Sequence, residues 1–258
     1  MADSTALAVI PARYASTRLP GKPLLARTGK PMIQHVVERV LEARAIGRVV
    51  VATDDLRIAE AVGAFGGEAV MTSSEHPNGT SRIAEAVESI AAGPSWSGGE
   101  EEAIVVNVQG DEPEIEPALV DRLVEALAAD REAPMATLAS PFADDENPQD
   151  PNIVKVVIDQ NRRALYFSRA AIPHDRDGEG TLEPLKHLGI YGYRRWFLPR
   201  YVTLAPTPLE QCEKLEQLRA LEHGYPIAVV RVEARHHGID TPEQYEAFVQ
   251  RRRDAGEF

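Results

Sequence analysis

Three cations, Arg13, Arg18 and Lys22, stand in the run Pro11-Ala-Arg-Tyr-Ala-Ser-Thr-Arg-Leu-Pro-Gly-Lys-Pro23, directly after the apolar stretch Leu7–Ile10. A short buried strand that feeds a loop of small residues lets a ligand come close to the backbone, and the cations supply charge. That combination suits a polyphosphate whose charge must be neutralised during reaction. Taken alone, the same loop also reads as an inert basic turn.

Two acids give the loop a possible counterpart. Asp111 follows the β-prone run Ala103–Val108 within Asn107-Val-Gln-Gly-Asp-Glu-Pro113, and Gly110 permits close approach. Asp240 lies in Gly238-Ile-Asp-Thr-Pro-Glu243, just before a helical stretch. Each acid has an ordinary alternative, Asp111 as a turn residue and Asp240 as a helix cap. Together they form a candidate pair for Mg²⁺, which takes a few carboxylates along with phosphate oxygens and water. The adjacent His236 and His237 do not form a zinc site on this reading, because neighbours in a strand point to opposite faces and no further ligand sits at metal spacing. Cys212, the single cysteine, stands in a helical pattern and reads as a packing or surface residue.

The elements that must position these residues alternate. Strands are expected at Leu7–Ile10, Arg48–Ala52, Glu68–Met71 and Ala103–Val108. Helices are expected at about Pro31–Arg44, from Thr53-Asp-Asp55 to Phe65, at Ser81–Ala92 and at Pro117–Ala129, the first and last with apolar residues on one face. This order points to an α/β fold, a three-layer sandwich around a mostly parallel sheet with right-handed crossovers. Ligands of such sheets bind beyond the carboxyl ends of the strands, where the loop at 11–23 and Asp111 both fall. The second half is mixed. A hairpin is expected across Ile153–Ile158 and Ala164–Phe167, a strand at His187–Arg194, one helix at Pro208–His223, a strand at Ile227–Val232 and a last helix at Thr241–Arg253. Gly93–Glu102 reads as a solvated loop. We expect one domain over 1–258, with a smaller mixed elaboration at about 153–200.

Composition narrows the function classes. The 258 residues carry 28 Lys and Arg against 40 Asp and Glu, a net charge of −12. Such a chain is poorly suited to binding nucleic acid through phosphate neutralisation. No apolar run reaches the roughly 20 residues that span a bilayer, and the N-terminus shows no secretory pattern. No nucleic-acid or membrane partner is therefore expected, and the location is expected to be cytoplasmic.

The run Ile10–Pro23 resembles the first motif of the CMP-sugar-acid synthetases, in detail that of the 3-deoxy-manno-octulosonate (Kdo) cytidylyltransferases. The likeness continues in order through Val51-Ala-Thr-Asp54, Gly79-Thr-Ser-Arg82, Asn107–Pro113, Tyr166-Phe-Ser-Arg-Ala170, His187–Arg194, Pro208-Leu-Glu210, Leu215-Glu-Gln-Leu-Arg219 and Gly238–Glu243. The chain departs from the pattern at Pro77-Asn78 and Ser81, and at Cys212-Glu-Lys214.

The resemblance implies a glycosyltransferase-A-like fold, a homodimer whose mixed region serves dimerisation and sugar binding, and Mg²⁺-dependent transfer of CMP from CTP to the anomeric hydroxyl of Kdo for lipopolysaccharide. It implies that Ala12, Arg13, Arg18, Lys22, Asn78, Gly79 and Arg82 bind CTP. Arg13, Lys22, Asp111 and Asp240 would be catalytic, with the two acids on the metal. Gln109, Arg169, His187, Tyr191, Glu216 and Gln217 would surround the sugar acid. Arg169 suits a carboxylate because its planar fork binds two oxygens at once. His187 and Tyr191, four apart in a strand, share a face. The alternatives are CMP transfer to a related acid, such as an amino analogue of Kdo, a glycosyltransferase, or a nucleotide sensor that does no chemistry.

Overall fold

The apolar runs become buried strands. The computed structural model of the chain describes residues 6–16, 18–92, 103–180, 182–234 and 238–258. Its elements are β1 (Ala6–Ala12), α1 (Met32–Leu41), β2 (Ile46–Thr53), α2 (Leu56–Ala64), β3 (Glu68–Met71), α3 (Gly79–Ala91), β4 (Ile104–Asn107) and α4 (Pro117–Ala129). They continue as β5 (Met135–Pro141), β6 (Lys155–Ile158), β7 (Ala164–Ser168), β8 (Leu185–Arg194), α5 (Phe197–Thr203), α6 (Pro208–Glu213), α7 (Gln217–Glu222), β9 (Ile227–Arg231) and α8 (Pro242–Asp254). A short 3-10 turn covers Lys22–Leu24. The chain divides into two compact units, Met1–Asp121 with His236–Phe258, and Arg122–Arg235.

In the first unit four parallel strands take the order β3-β2-β1-β4. The chain steps one way from β1 to β3, then returns through α3 to β4 on the other side of β1. With the right-handed crossovers that parallel β-α-β units take, this order sends α1 and α2 to one face and α3 to the other. The order reverses between β1 and β4, and a crevice opens there at the strands' carboxyl ends. Leu7–Ile10 of β1 and Val105–Val106 of β4 are fully buried, as expected for strands covered on both faces. Asp55 caps α2 by accepting the Arg57 N–H at 3.0 Å, and Thr241 caps α8 in a capping box with Gln244. Leu19 of the basic loop packs in one cluster with Met32, Ile239 and Tyr245, Phe248 and Val249 of α8. That cluster holds the loop and the turn before α8 against a common core.

In the second unit β5 lies between β8, antiparallel, and β9, parallel. The expected hairpin forms as antiparallel β6 and β7. The expected mixed region at 153–200 falls within this unit. Three details differ from expectation. β5 escapes sequence reading because Met-Ala-Thr-Leu-Ala-Ser-Pro has few strong strand formers; its flanking strands, and not its propensity, make it a strand. α5 is likewise additional. The single helix expected at Pro208–His223 is two helices, broken where Lys214 adopts a left-handed conformation (φ 56°). The Gly93–Glu102 expectation lies outside the described residues.

Candidate functional site

The crevice between β1 and β4 holds a cavity of about 390 Å³. Its walls come from the end of β1 (Pro11, Ala12, Arg13), the basic loop (Ser16, Arg18, Lys22), the start of α3 (His76, Pro77, Asn78, Gly79, Arg82), the loop after β4 (Gln109, Gly110, Asp111) and Asp240. Backbones approach closely here. A Cβ on Gly110 would lie 3.0 Å from the Pro11 carbonyl oxygen, and one on Gly79 would lie 3.2 Å from the Pro11 ring.

Charge at the centre of the cavity is tightly paired. Lys22 Nζ donates to Asp111 Oδ2 at 2.8 Å, to the Ile239 carbonyl at 3.0 Å and to Asp240 Oδ1 at 3.1 Å. Arg18 Nη2 donates to the other oxygen, Asp240 Oδ2, at 2.9 Å. Asp240 therefore does not cap α8; Thr241 does, and the Asp240 carboxylate is left to bridge two cations. Arg13 is exposed at the wall and carries the loop's remaining cation.

The loop is shaped by a stack. The Arg57 guanidinium lies 3.4 Å above the Tyr14 ring and is held by Asp55. Gly21, with φ 68°, passes beside that ring; a Cβ there would sit 3.3 Å from it. Glycine at this position supplies both the left-handed turn and the clearance.

Opposite wall residues have structural work of their own. Asn78 Oδ1 accepts the Ser81 N–H at 2.9 Å and caps α3, so the helix begins at the cavity and brings the positive end of its dipole there. Arg82 is buried, donating to Thr72 Oγ1 at 2.7 Å and pairing with Asp54 at 3.2 Å. It lines the cavity with its guanidinium already committed to neighbours. His76 pairs with Glu85. Gln109, grouped by the resemblance with the sugar-acid residues, lines this same cavity.

The other expected sugar-acid residues lie in the second unit. His187 and Tyr191 of β8 share a face, with ring centroids 5.4 Å apart. Thr137 Oγ1 lies 2.9 Å from His187 Nε2 and donates its one proton toward the carbonyls of Ile190 and Leu188, at 2.8 and 3.1 Å. The His187–Thr137 contact fixes the ring's orientation. Burial pushes the Tyr191 phenol well above its ordinary range, with the charges of Tyr193 and Glu216 adding, so it stays a neutral hydrogen-bonding group. Arg169 Nε donates to the Glu213 carbonyl at 2.8 Å and Nη1 to the Pro151 carbonyl at 3.0 Å. Glu216 starts α7, and its carbonyl accepts the Tyr201 hydroxyl at 2.6 Å. Gln217 is buried, and its Nε2 has no hydrogen-bond partner among the described residues.

A cytidylyltransferase family model matches residues 7–231. The 3-deoxy-manno-octulosonate cytidylyltransferase of Syntrophobacter fumaroxidans is 52% identical over 93% of this chain and 94% of its own. That of Methylococcus capsulatus is 53% identical over 92% and 93%. The chain belongs to the 3-deoxy-manno-octulosonate cytidylyltransferase family. A solved structure of CMP:2-keto-3-deoxy-manno-octonic acid synthetase complexed with CTP superposes with a TM-score of 0.88, at 44% identity over 97% of this chain and 99% of that one.

Within this cytidylyltransferase chain the donors suit a hard cation. Two carboxylates and one carbonyl oxygen converge on a single ammonium nitrogen, an oxygen set of the kind Mg²⁺ completes with phosphate and water. Among the described residues no group of three or more His, Cys, Asp or Glu is arranged to hold a metal, so the set stops at two acids. His236 and His237 lie outside the described residues.

Sequence reasoning did not single out Thr137, Lys155, Glu112 or Glu213. Lys155 is fully buried in β6, and its Nζ donates to the carbonyls of Ile153, Arg169 and Asp150 at 2.6, 2.6 and 2.9 Å. Glu112 is buried beside Asp111, and its carboxyl is pushed up to about 9, by burial first and by the charges of Asp111 and Asp240, against the opposing pull of Lys22. A charged residue next to a motif acid was a usable signal for Glu112; nothing local marks the other three.

Proposed function

We propose that this chain transfers CMP from CTP to the anomeric hydroxyl of Kdo and releases pyrophosphate. The observation that carries this is the convergence of Lys22, Asp111 and Asp240 in the crevice between β1 and β4. A triphosphate needs both cations and a metal-binding acid pair, and here they meet. In the reaction the anomeric oxygen bonds to the α-phosphorus, the bond from that phosphorus to the bridging oxygen of the β-phosphate breaks, and pyrophosphate leaves. The hydroxyl proton passes to solvent or to a nearby oxygen.

Charge grows on the α-phosphoryl oxygens and on the departing pyrophosphate. Catalysis is then chiefly positioning and charge stabilisation. Arg13, Arg18 and Lys22 hold the triphosphate, with Ala12 and the start of α3 at Asn78 and Gly79 closing around the nucleotide. Arg82 braces that wall through Asp54 and Thr72. Asp111 and Asp240 are the residues that would hold Mg²⁺. When bound, the ion supplies charge neutralisation on the phosphates and orients the attacking oxygen. Gln109, Arg169, His187, Tyr191, Glu216 and Gln217 bind the sugar acid: Arg169 takes its carboxylate, and the Gln217 Nε2, which has no partner among the described residues, and the oriented His187 ring take hydroxyls.

The reading extends to a homodimer acting in the cytoplasm and a product destined for lipopolysaccharide, which the sequence resemblance implies. Among the described residues no helix is long and apolar enough to cross a membrane. Incubation with CTP, Kdo and Mg²⁺ is expected to release pyrophosphate and form CMP-Kdo, read by coupled phosphate detection and by mass. Release with an amino analogue of Kdo or another small acid, and none with Kdo, moves the reading to that acceptor. No release with any sugar acid overturns it.

A further inference from the structure

Glu213 is the last residue of α6, and it grips two consecutive residues at the end of β7. Its carboxylate Oε1 accepts the Ser168 hydroxyl at 2.6 Å, and Oε2 accepts the Arg169 N–H at 2.9 Å. Its own carbonyl accepts the Arg169 Nε–H at 2.8 Å. That carbonyl points away from the helical ladder because Lys214 turns left-handed and ends α6. Arg169 is thus held at its backbone and its guanidinium by one residue. The Pro151 carbonyl takes one Nη1 hydrogen, and Lys155 holds the Arg169 carbonyl. Among the described residues Nη2 has no partner. The fork is left with Nη2 and the second Nη1 hydrogen, a planar end suited to two carboxylate oxygens.

We propose that Glu213 is a positioning residue for Arg169, fixing the plane of its guanidinium so that the Nη2 end meets the carboxylate of the sugar acid. The inference rests on the reading of Arg169 as the carboxylate clamp. Glu213 touches no reacting atom on this account; it acts through Arg169 alone.

The test is Glu213→Gln, studied alone and with Arg169→Ala. A glutamine of the same shape has one acceptor oxygen for two donors, and its amide opposes whichever donor is left. The KM for Kdo is expected to rise about tenfold or more, the size of one lost charged hydrogen bond, while the KM for CTP and kcat stay within about twofold of the parent value. A general packing defect does not make that split. In an Arg169→Ala background Glu213→Gln is expected to add less than about twofold. Ser168→Ala, combined with Glu213→Gln, removes the competing donor and lets the amide oxygen accept the Arg169 N–H; the KM for Kdo is expected to return most of the way. Should Glu213→Gln alone fail to fold, the paired variant still reads the effect. If Arg169→Ala leaves the KM for Kdo unchanged, the clamp reading itself fails. If Arg169→Ala raises it while Glu213→Gln does not, or raises it equally with the KM for CTP, the clamp stands and the positioning role of Glu213 is overturned.

Discussion

The two units hold their chemistry by different means. In the first, side chains far apart in sequence neutralise one another: Lys22 with Asp111 and Asp240, Arg18 with Asp240. These groups are partly exposed, and each charge is balanced by another side chain. In the second, Arg169 and Lys155 are anchored to main-chain carbonyls and His187 to a buried hydroxyl. The first arrangement can exchange partners when an anionic ligand arrives, at little cost to the fold. The second cannot be disturbed without stranding buried acceptors. Functional damage should therefore separate from structural damage in the first unit and coincide with it in the second.

The sharpest way to break this contrast is at the acid pair. Asp111→Asn and Asp240→Asn are each expected to lower kcat by about 10²–10³-fold or more, as for loss of a group that stabilises developing charge. Because Asp240 is exposed and Asp111 keeps partial contact with solvent, stability is expected to fall by about 1 kcal/mol for Asp240→Asn and by no more than about 2 kcal/mol for Asp111→Asn. Pyrophosphate release and urea unfolding on the same preparations measure both. A large stability loss, or full activity, would remove either residue from the exchangeable, catalytic set.

Lys155→Met is the complementary test in the second unit. Burial lowers the lysine's pKa, and three carbonyls depend on it. Removing the donor strands at least some of them, and each buried acceptor left unpaired costs about 1–3 kcal/mol. Unfolding midpoints are expected to fall by an amount equal to about 3 kcal/mol. Near-wild-type stability would show that the second unit tolerates disruption as the first does.

Much of this contrast was legible before the structure. The four strands and helices of the first unit follow directly from apolar period and caps, because Val- and Ile-rich runs and residues such as Asp55 and Thr241 act locally. Lys22 and Asp111 could be named from loops that follow strands, and Asp240 from the turn before α8. The second unit hides more. β5 owes its conformation to two neighbouring strands, and the break at Lys214 to a backbone conformation that lysine does not advertise. Lys155 and Glu213 act on main-chain carbonyls and N–H groups, which have no residue code. Ion pairs between side chains leave a mark in sequence; anchoring to backbone does not.

Glu112 tests the contrast from inside the first unit, since it is buried among charges that are otherwise exchangeable. Burial, with the charge of Asp111 beside it, pushes its carboxyl up to about 9 in the folded protein, against an ordinary value of 4.5 in the unfolded chain. Between those values the folded state holds a proton that the unfolded state has released. Stability from this group is therefore complete below about pH 4.5 and is lost steadily as pH rises toward 9, by at most about 1.4 kcal/mol per pH unit. Glu112→Gln keeps the neutral shape and has no proton to lose. The difference in unfolding free energy between variant and parent is expected to be near zero at pH 4.5 and to grow in the variant's favour through pH 6, 7 and 8. A flat difference across that range would mean that Glu112 is already ionised, and that even a buried acid of the first unit is compensated by the exchangeable cations around it.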